Sequence, residues 1–220
     1  MQDISDSMNL GDLKRLYLIR KSEIESRFAE FKRTWEEGRD EDIFAELAFC
    51  LLTPQSKAKI CWRAIEKMCK DNVLLKGNKD EIVGYLRGVR FKNNKAVYIA
   101  NAREMFMKNG KVKIKEILRS FKDPREIRDW LVKNVKGMGY KEASHFLRNI
   151  GMGEDFAILD RHILKNLKVL GIIDSIPRSM TKKRYMEIED RMRGFSREIG
   201  IPMSHLDLLF WSKETGEVFK

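Results

Sequence analysis

The sequence predicts an all-α protein. Two observations support this fold class: apolar residues recur with a helical period almost from end to end, and no stretch shows the strict alternation that is typical of a strand. With 220 residues, of which 43% are hydrophobic, the chain can bury a substantial core. It contains only 4 prolines and no low-complexity tract, so we expect one domain rather than a string of independent modules.

The predicted helices of the first half are bounded by glycine, proline and capping residues. The first covers 10–37, where apolar residues share one face and Gly38 ends the helix. The second covers 41–53, because Pro54 disfavours helical geometry in the residue before it. Further helices are expected over 56–71 with Ser56 as N-cap, over about 79–87, and over 93–108 up to Asn109-Gly110.

Helix starts in the second half are marked by capping residues. The pair Asp123-Pro124 combines an N-cap acceptor with proline at the first helical position. Two helical patterns then flank a tight glycine turn within 126–150. Three later helices are predicted over 160–170 up to Gly171, over 181–199 up to Gly200, and over 202–212 opened by Pro202.

The charge balance favours a polyanionic partner. Lys and Arg number 44 against 33 Asp and Glu, and the resulting formal net charge of +11 attracts nucleic acid. General solubility is the alternative explanation of this charge. An acidic membrane surface would also attract it, but no apolar run approaches the ~20 residues of a spanning helix. No signal peptide is recognisable either, so we expect a cytoplasmic protein with no membrane partner.

The cysteines indicate reduced thiols rather than a disulfide framework or a metal centre. Cys50, Cys61 and Cys69 are an odd number and lack CxxC spacing. The three histidines lie far downstream of them without ligand spacing. We therefore expect no structural metal, no iron–sulfur cluster and no cofactor.

The most informative segment is the predicted helical hairpin at 126–150. Gly137 and Gly139 permit backbone torsions closed to other residues and leave no side chain between the turn and a ligand. The amides of 137–141 then stand at the N-terminus of the second helix, where the helix dipole favours an anion such as phosphate. Lys136 and Lys141 add positive charge. An ordinary corner between two helices is the alternative.

A wider pattern extends this motif. The run Val135-Lys-Gly-Met-Gly-Tyr-Lys-Glu-Ala143 resembles the hairpin of the helix–hairpin–helix DNA glycosylase superfamily, and Ala157-Ile-Leu-Asp-Arg-His162 resembles its catalytic aspartate segment. Asp160 follows Lys141 after 19 positions, which is the separation expected in that family. The resemblance implies that Lys141 is the amine nucleophile and that Asp160 supports the chemistry.

Two runs, Lys141-Glu-Ala-Ser-His-Phe-Leu-Arg-Asn149 and the C-terminal Asp207-Leu-Leu-Phe-Trp-Ser-Lys-Glu-Thr-Gly-Glu-Val-Phe-Lys220, resemble the compact archaeal-type 8-oxoguanine DNA glycosylases. The resemblance implies a helical subdomain at 40–155, a second formed by 1–39 with 156–220, and an active-site cleft between them. It also implies that Trp211 is a stacking face and that Lys220, with its terminal carboxylate, reads the polar edge of an oxidised guanine. Asp207 is a further candidate for the base pocket. A core tryptophan and a frayed tail are the alternatives.

Two further segments are candidates for DNA contact. Gln55, in the turn Leu52-Thr-Pro-Gln-Ser56, resembles the superfamily's inserting loop and would fill the space of the displaced base or meet its partner. Arg87 and Arg90 flank a turn and would touch phosphates or the opposite strand. The alternatives are a simple turn glutamine and solvated arginines.

The chemistry explains why these residue types are needed. Cleavage at C1′ passes through an electron-poor sugar, which a nearby carboxylate stabilises and a nucleophile attacks. A primary amine can also form a Schiff base with the opened sugar, which permits β-elimination and strand cleavage. A solvated lysine is the alternative for Lys141, and a helix N-cap for Asp160, although a cap is compatible with catalysis because it is held rigidly.

Taken with the basic charge, the resemblance implies a monomeric repair enzyme that acts on double-stranded DNA containing oxidised guanine, in the cytoplasm and on nucleoid DNA. Reaching C1′ requires the nucleotide to leave the base stack. Two alternatives stay open: a glycosylase for another lesion, such as an oxidised pyrimidine or a mismatched adenine, and a non-catalytic DNA-binding module.

Overall fold

The computed structural model describes residues 8–220, whose regular secondary structure is almost entirely helical. The prediction of an all-α fold is confirmed. In chain order the helices are α1 (Leu10–Glu37), α2 (Asp40–Leu52), α3 (Ala58–Lys70), α4 (Val73–Lys76), α5 (Lys79–Tyr85), α6 (Lys92–Phe106), α7 (Ile114–Leu118), α8 (Pro124–Asn134), α9 (Tyr140–Asn149), α10 (Arg161–Val169), α11 (Lys182–Ile199) and α12 (Met203–Thr215). Strands β1 (Met107–Lys108) and β2 (Lys111–Val112) form a short antiparallel hairpin between α6 and α7.

The hairpin corrects the prediction of a helix over 93–108. Helix α6 ends at Phe106, and the Asn109-Gly110 pair forms the turn between the strands. Both residues have positive φ, 54° and 74°. This geometry closes two-residue hairpins, and Asn-Gly is the sequence that favours it. The same pair that can end a helix therefore forms a hairpin turn here.

A second correction concerns the start of α3. Ser56 was expected to be its N-cap, but the helix begins at Ala58 and Lys57 occupies the N-cap position. The Ser56 hydroxyl instead accepts hydrogen bonds from Lys95 Nζ at 3.1 Å and from the Arg90 amide at 3.0 Å. A long-range contact thus replaces the local capping bond.

The described chain divides into two compact units. The first unit contains residues 8–31 and 153–220, and the second contains 32–152. One boundary therefore falls inside α1 and the other directly after Met152, whereas the predicted subdomains met at 39/40 and 155/156.

In the second unit, α2 is the central helix. Every residue from Ile43 to Leu52 is buried, including Glu46. The Glu46 carboxylate accepts a hydrogen bond from Asn149 Nδ2 at 3.0 Å, which offsets the cost of burying the acid. Helices α3, α6, α7 and α9 contact α2, so the hairpin helix α9 lies directly against this core.

In the first unit, α12 packs against α10, α11 and the N-terminal part of α1. The His205 ring stacks on Phe28 with 5.2 Å between ring centroids, and His205 Nδ1 is hydrogen-bonded to Tyr17 Oη at 2.9 Å. Phe210, on the same helix, is fully buried. None of the helices within 8–220 combines the length and the apolar composition that are needed to cross a bilayer.

Candidate functional site

The turn between α8 and α9 requires glycine at one of its two positions. Gly137 has a φ of +88°, and a Cβ at this residue would lie 2.3 Å from the Tyr98 ring. Gly139 has an extended backbone with φ of −96°, where a Cβ would meet only the Glu142 carboxylate at 3.0 Å. The expectation of unusual torsions is therefore right for Gly137 and wrong for Gly139.

Polar contacts fix the two hairpin helices to each other. The Tyr140 hydroxyl donates to Asp129 Oδ1 at 2.8 Å, and Arg128 donates to Ser144 Oγ at 3.3 Å. The Arg128 guanidinium also lies 5.6 Å from the centroid of the Tyr140 ring. These contacts join α8 to the first turn of α9, so the turn between them is presented on a rigid base.

The amides of the turn are only partly available to a ligand. Met138 N donates to Val135 O at 3.1 Å, and Gly139 N donates to Glu142 Oε2 at 3.1 Å. Two of the five amides expected to face a phosphate are thus used within the hairpin. Lys136 and Gly137 are exposed, so they form the accessible part of the turn.

Lys141 lies in the first turn of α9, where the positive end of the helix dipole acts on it. Its side chain is 24% exposed, and its Nζ lies 3.1 Å from Glu142 Oε1. Because the other oxygen of Glu142 accepts from Gly139 N, one carboxylate links the turn backbone to the lysine. Lys141 is therefore a partly buried, oriented amine rather than a freely solvated one.

Two thiols close enough to feel the charge of Lys141 do not compete as nucleophiles. Burial raises the pKa of Cys61 to about 11 and raises that of Cys50 well above its usual range, although the Lys141 charge opposes both shifts. The thiolate is the reactive form of cysteine, and the raised pKa values favour the protonated thiol of both residues at neutral pH. Neither thiol is therefore a better candidate for the nucleophile than Lys141.

The segment that leads to Asp160 is held by α11. Tyr185 donates its hydroxyl proton to Ala157 O at 2.5 Å, and Glu189 accepts from Ala157 N at 2.9 Å. Both side chains are buried. Because these hydrogen bonds hold the backbone of Ala157, three residues before Asp160, they help to fix the position at which α10 begins.

Both carboxylate oxygens of Asp160 have partners. Oδ1 accepts from the amides of His162 at 2.8 Å and Ile163 at 2.9 Å, which confirms the expected N-cap of α10. Oδ2 accepts from Trp211 Nε1 at 3.0 Å. The carboxylate is therefore held in one orientation, with its charge at the N-terminus of a helix.

The structure brings Trp211 to Asp160 through this hydrogen bond. The indole is partly exposed and meets the His162 ring edge-on, with 6.2 Å between ring centroids. Asp207 lies one turn earlier on α12 and is only 3% exposed. Lys220, the last residue, is partly exposed.

The Gln55 loop and the Arg87–Arg90 turn also meet. Gln55 is exposed with a φ of 54°, and Ser56, next to it, accepts from the Arg90 amide. Phe91, which the sequence did not single out, is 55% exposed with a φ of 56°, and the Arg90 guanidinium lies 5.3 Å from its ring centroid. An exposed aromatic residue with positive φ is uncommon. A large apolar residue directly after the Arg87–Arg90 turn was the available signal.

The candidate residues thus form two groups. Lys141 lies in the second unit with Lys136, Gly137, Gly139, Gln55, Arg87 and Arg90, and Asp160 lies in the first unit with Trp211, Asp207 and Lys220. Within 8–220, no group of three or more His, Cys, Asp or Glu side chains is arranged to hold a metal ion.

Comparison with known proteins identifies relatives along nearly the whole chain. A family model described as 8-oxoguanine DNA glycosylase matches residues 24–201, a range that includes Lys141 and Asp160 and ends before Trp211. A Fusobacterium nucleatum protein named 8-oxoguanine DNA glycosylase/AP lyase is 48% identical over 210 residues, covering 96% of this chain and 97% of that protein. A Korarchaeum cryptofilum protein of the same name is 41% identical over 214 residues, covering 96% and 97%.

Solved structures extend the similarity to the fold. The crystal structure of a Thermotoga maritima 8-oxoguanine DNA glycosylase superposes with a TM-score of 0.85 at 38% identity, covering 96% of this chain and 98% of that chain. The structure of a Methanocaldococcus jannaschii 8-oxoguanine glycosylase/lyase in complex with a 15mer DNA containing 8-oxoguanine gives a TM-score of 0.84 at 36% identity. That match covers 94% of this chain and 99% of the other.

Proposed function

Because the chain belongs to the 8-oxoguanine DNA glycosylase family with a helix–hairpin–helix motif, we propose that it excises 8-oxoguanine from duplex DNA and then cleaves the strand at the abasic site. The single observation that carries the mechanism is the placement of Lys141. It is a partly buried amine in the first turn of α9, held by Glu142 beside a turn that only glycine fits.

Lys141 is the nucleophile of the proposed reaction. The ammonium first loses a proton, for which the Glu142 carboxylate in contact with it is an acceptor. The amine nitrogen then forms a bond to C1′ while the glycosidic bond breaks, and the electron pair leaves with the base, which takes up a proton. The new secondary ammonium then loses a proton, and its lone pair forms the C1′=N bond as the C1′–O4′ bond breaks. O4′ takes up a proton, which gives a Schiff base with the lysine.

Strand cleavage follows from the same covalent intermediate. C2′ loses a proton to solvent, the electron pair forms the C2′=C3′ bond, and the C3′–O bond breaks so that the 3′ phosphate leaves. Water then hydrolyses the imine to release Lys141. Asp160 contributes a fixed negative charge that stabilises the positive sugar as the base departs. Its orientation is set by the α10 amides and by Trp211, so little reorganisation is needed during the reaction.

The remaining candidates bind the DNA and the displaced base. Lys136 and the exposed Gly137 backbone contact phosphates, and Arg87 and Arg90 contact the backbone or the opposite strand. Gln55 and Phe91 fill the space that the base vacates, which offsets the few kcal/mol lost on unstacking. Trp211 stacks on the base, Lys220 reads its polar edge, and Asp207 supports that pocket from within α12. The enzyme acts as a monomer on DNA containing oxidised guanine, in the cytoplasm.

Borohydride trapping tests this proposal. Reduction of the imine should link the wild-type protein to a duplex that contains 8-oxoguanine. Lys141→Gln should abolish the adduct, whereas Lys136→Gln, a neighbouring lysine outside the reaction, should retain it with weaker DNA binding.

Parallel duplexes with thymine glycol and with a mismatched adenine test the substrate. Equal cleavage of all three lesions would overturn the assignment to 8-oxoguanine while leaving the lyase chemistry intact. A wild-type protein that binds duplexes but is trapped on none would indicate a non-catalytic DNA-binding module.

A further inference from the structure

A buried lysine lies beneath the Gln55 loop. Lys95, on α6, is 3% exposed. Its Nζ donates to Leu52 O at 2.7 Å, to Pro54 O at 2.7 Å and to Ser56 Oγ at 3.1 Å. An ammonium has three N–H donors and a neutral amine has two, so three acceptors match the protonated form.

These acceptors belong to one short connection. Residues 53–57 join α2 to α3, and Gln55 at their centre has a φ of 54°, which residues other than glycine rarely adopt. The carbonyls of Leu52 and Pro54, on either side of Thr53, both point at Lys95. With its backbone held from below, Gln55 is directed to the surface, where it is exposed.

The same contact reaches the neighbouring turn. Ser56 Oγ accepts from Lys95 and also from the Arg90 amide at 3.0 Å. Arg90 precedes Phe91, the exposed aromatic residue with positive φ. Lys95 is thus linked directly to the Gln55 loop, and through one hydroxyl to the turn that carries Arg87, Arg90 and Phe91.

We propose that Lys95 is a positioning residue, which holds Gln55 and the 87–91 turn in the arrangement that engages the duplex when the damaged nucleotide leaves the stack. This inference rests on the proposed function, in which Gln55 and Phe91 occupy the vacated space. Burying an ammonium is costly, and burial lowers the pKa of Lys95 from its usual range. A methionine would fill the same volume without that cost, but it would release both carbonyls and the Ser56 hydroxyl.

The test compares two reactions of Lys95→Met under single-turnover conditions. Excision of 8-oxoguanine from a paired duplex requires base displacement, whereas strand cleavage at a preformed abasic site requires no base to leave the stack. We expect excision to slow at least tenfold and abasic-site cleavage to stay within about threefold of wild type. Lys70→Met, which removes one exposed charge from α3, should change neither rate.

A double-mutant comparison identifies the residue through which Lys95 acts. Gln55→Ala and Lys95→Met should each slow excision, and the combined variant should be no slower than the slower single variant, because both remove the same positioned side chain. Multiplicative losses, or an equal loss in both reactions, would overturn the positioning role.

Ser56→Ala provides a second test of the inference in case Lys95→Met does not fold. This substitution removes the Ser56 hydroxyl, one of the three acceptors of Lys95, at a partly exposed position. It should slow excision about threefold to tenfold, with abasic-site cleavage retained. If it slows both reactions equally, the inference fails even where Lys95→Met cannot be purified. A wild-type protein with neither activity would overturn the proposed function and this inference together, whereas an active wild type with multiplicative losses would overturn only the latter.

Discussion

Replacing Asp160 by asparagine separates the charge of this side chain from its capping role. Asparagine is as good an N-cap as aspartate, so its Oδ1 can still accept from the amides of His162 and Ile163. The other oxygen becomes an NH₂ group that faces Trp211 Nε1, now 3.0 Å from a second donor. The variant therefore keeps the helix start and loses both the negative charge and the indole hydrogen bond.

The expected loss of stability is moderate. A hydrogen bond to a charged group contributes about 1.5–3 kcal/mol, but Trp211 is partly exposed and water can replace part of the loss. We therefore expect Asp160→Asn to lower the free energy of unfolding by about 1–2 kcal/mol. For a chain of this size, that corresponds to a decrease in Tm of roughly 2–8 °C. Turnover should fall about 100-fold to 1,000-fold, the usual effect of removing one fixed electrostatic stabiliser.

A second substitution distinguishes these two losses. Trp211→Phe removes the indole donor and keeps an aromatic ring, so in the Asp160→Asn background it should recover part of the lost Tm. Excision should not recover, because the charge is still absent. Thermal denaturation and single-turnover cleavage measure the two effects. An Asp160→Asn protein that is stable and cleaves within about threefold of wild type would refute the electrostatic role. An unfolded variant would instead assign a mainly structural role to the charge and to the indole hydrogen bond, because asparagine preserves the cap.

Three further predictions concern stability and reactivity. Gly137→Ala should destabilise the protein by about 1–3 kcal/mol and weaken duplex binding, because the new Cβ meets the Tyr98 ring at a residue with positive φ. Gly139→Ala should be nearly neutral in the same melting and binding assays, and similar effects of both substitutions would contradict this contrast. A thiol reagent at pH 8 should label exposed Cys69 quickly and should label Cys50 and Cys61 only after denaturation. Fast labelling of all three cysteines in the native protein would argue against the observed burial. Burial lowers the pKa of His205 below its ordinary value of about 6.5, so its contribution to stability is present above that pH and is lost as the pH falls. The Tm difference between wild type and His205→Gln should therefore shrink from pH 7.5 to pH 5.5. A constant difference would exclude this contribution.

Sequence was sufficient where a structure depends on neighbouring residues. Asp123 accepts from the amides of Arg125 and Glu126, and Asp160 caps α10 in the same way, because capping needs only a short polar side chain and the two or three residues after it. Gly200 ends α11 with a φ of 73°, for equally local reasons. These signals gave the order of the long helices and the position of the hairpin.

Prediction from the sequence failed where a contact with a residue far along the chain determines the local structure. Ser56 has the residue type of an N-cap, but its hydroxyl is engaged by Lys95, 39 positions away. The bond from Trp211 to Asp160 spans 51 positions and has no local signature. The helices α4 and α7, with 4 and 5 residues, are too short to show a period. The candidate nucleophile and carboxylate were thus predictable, whereas the side chains that orient them were not.

The partners of Asp160 limit what this carboxylate can do. Each carboxylate oxygen has two lone pairs. Within residues 8–220, Oδ1 accepts from the amides of His162 and Ile163, whereas Oδ2 accepts only from Trp211. A direct hydrogen bond or a proton transfer to a substrate group would therefore use Oδ2, whereas the electrostatic effect involves the whole carboxylate. Because the indole hydrogen bond helps to hold the carboxylate plane, Trp211 helps to determine the direction in which the remaining lone pair points.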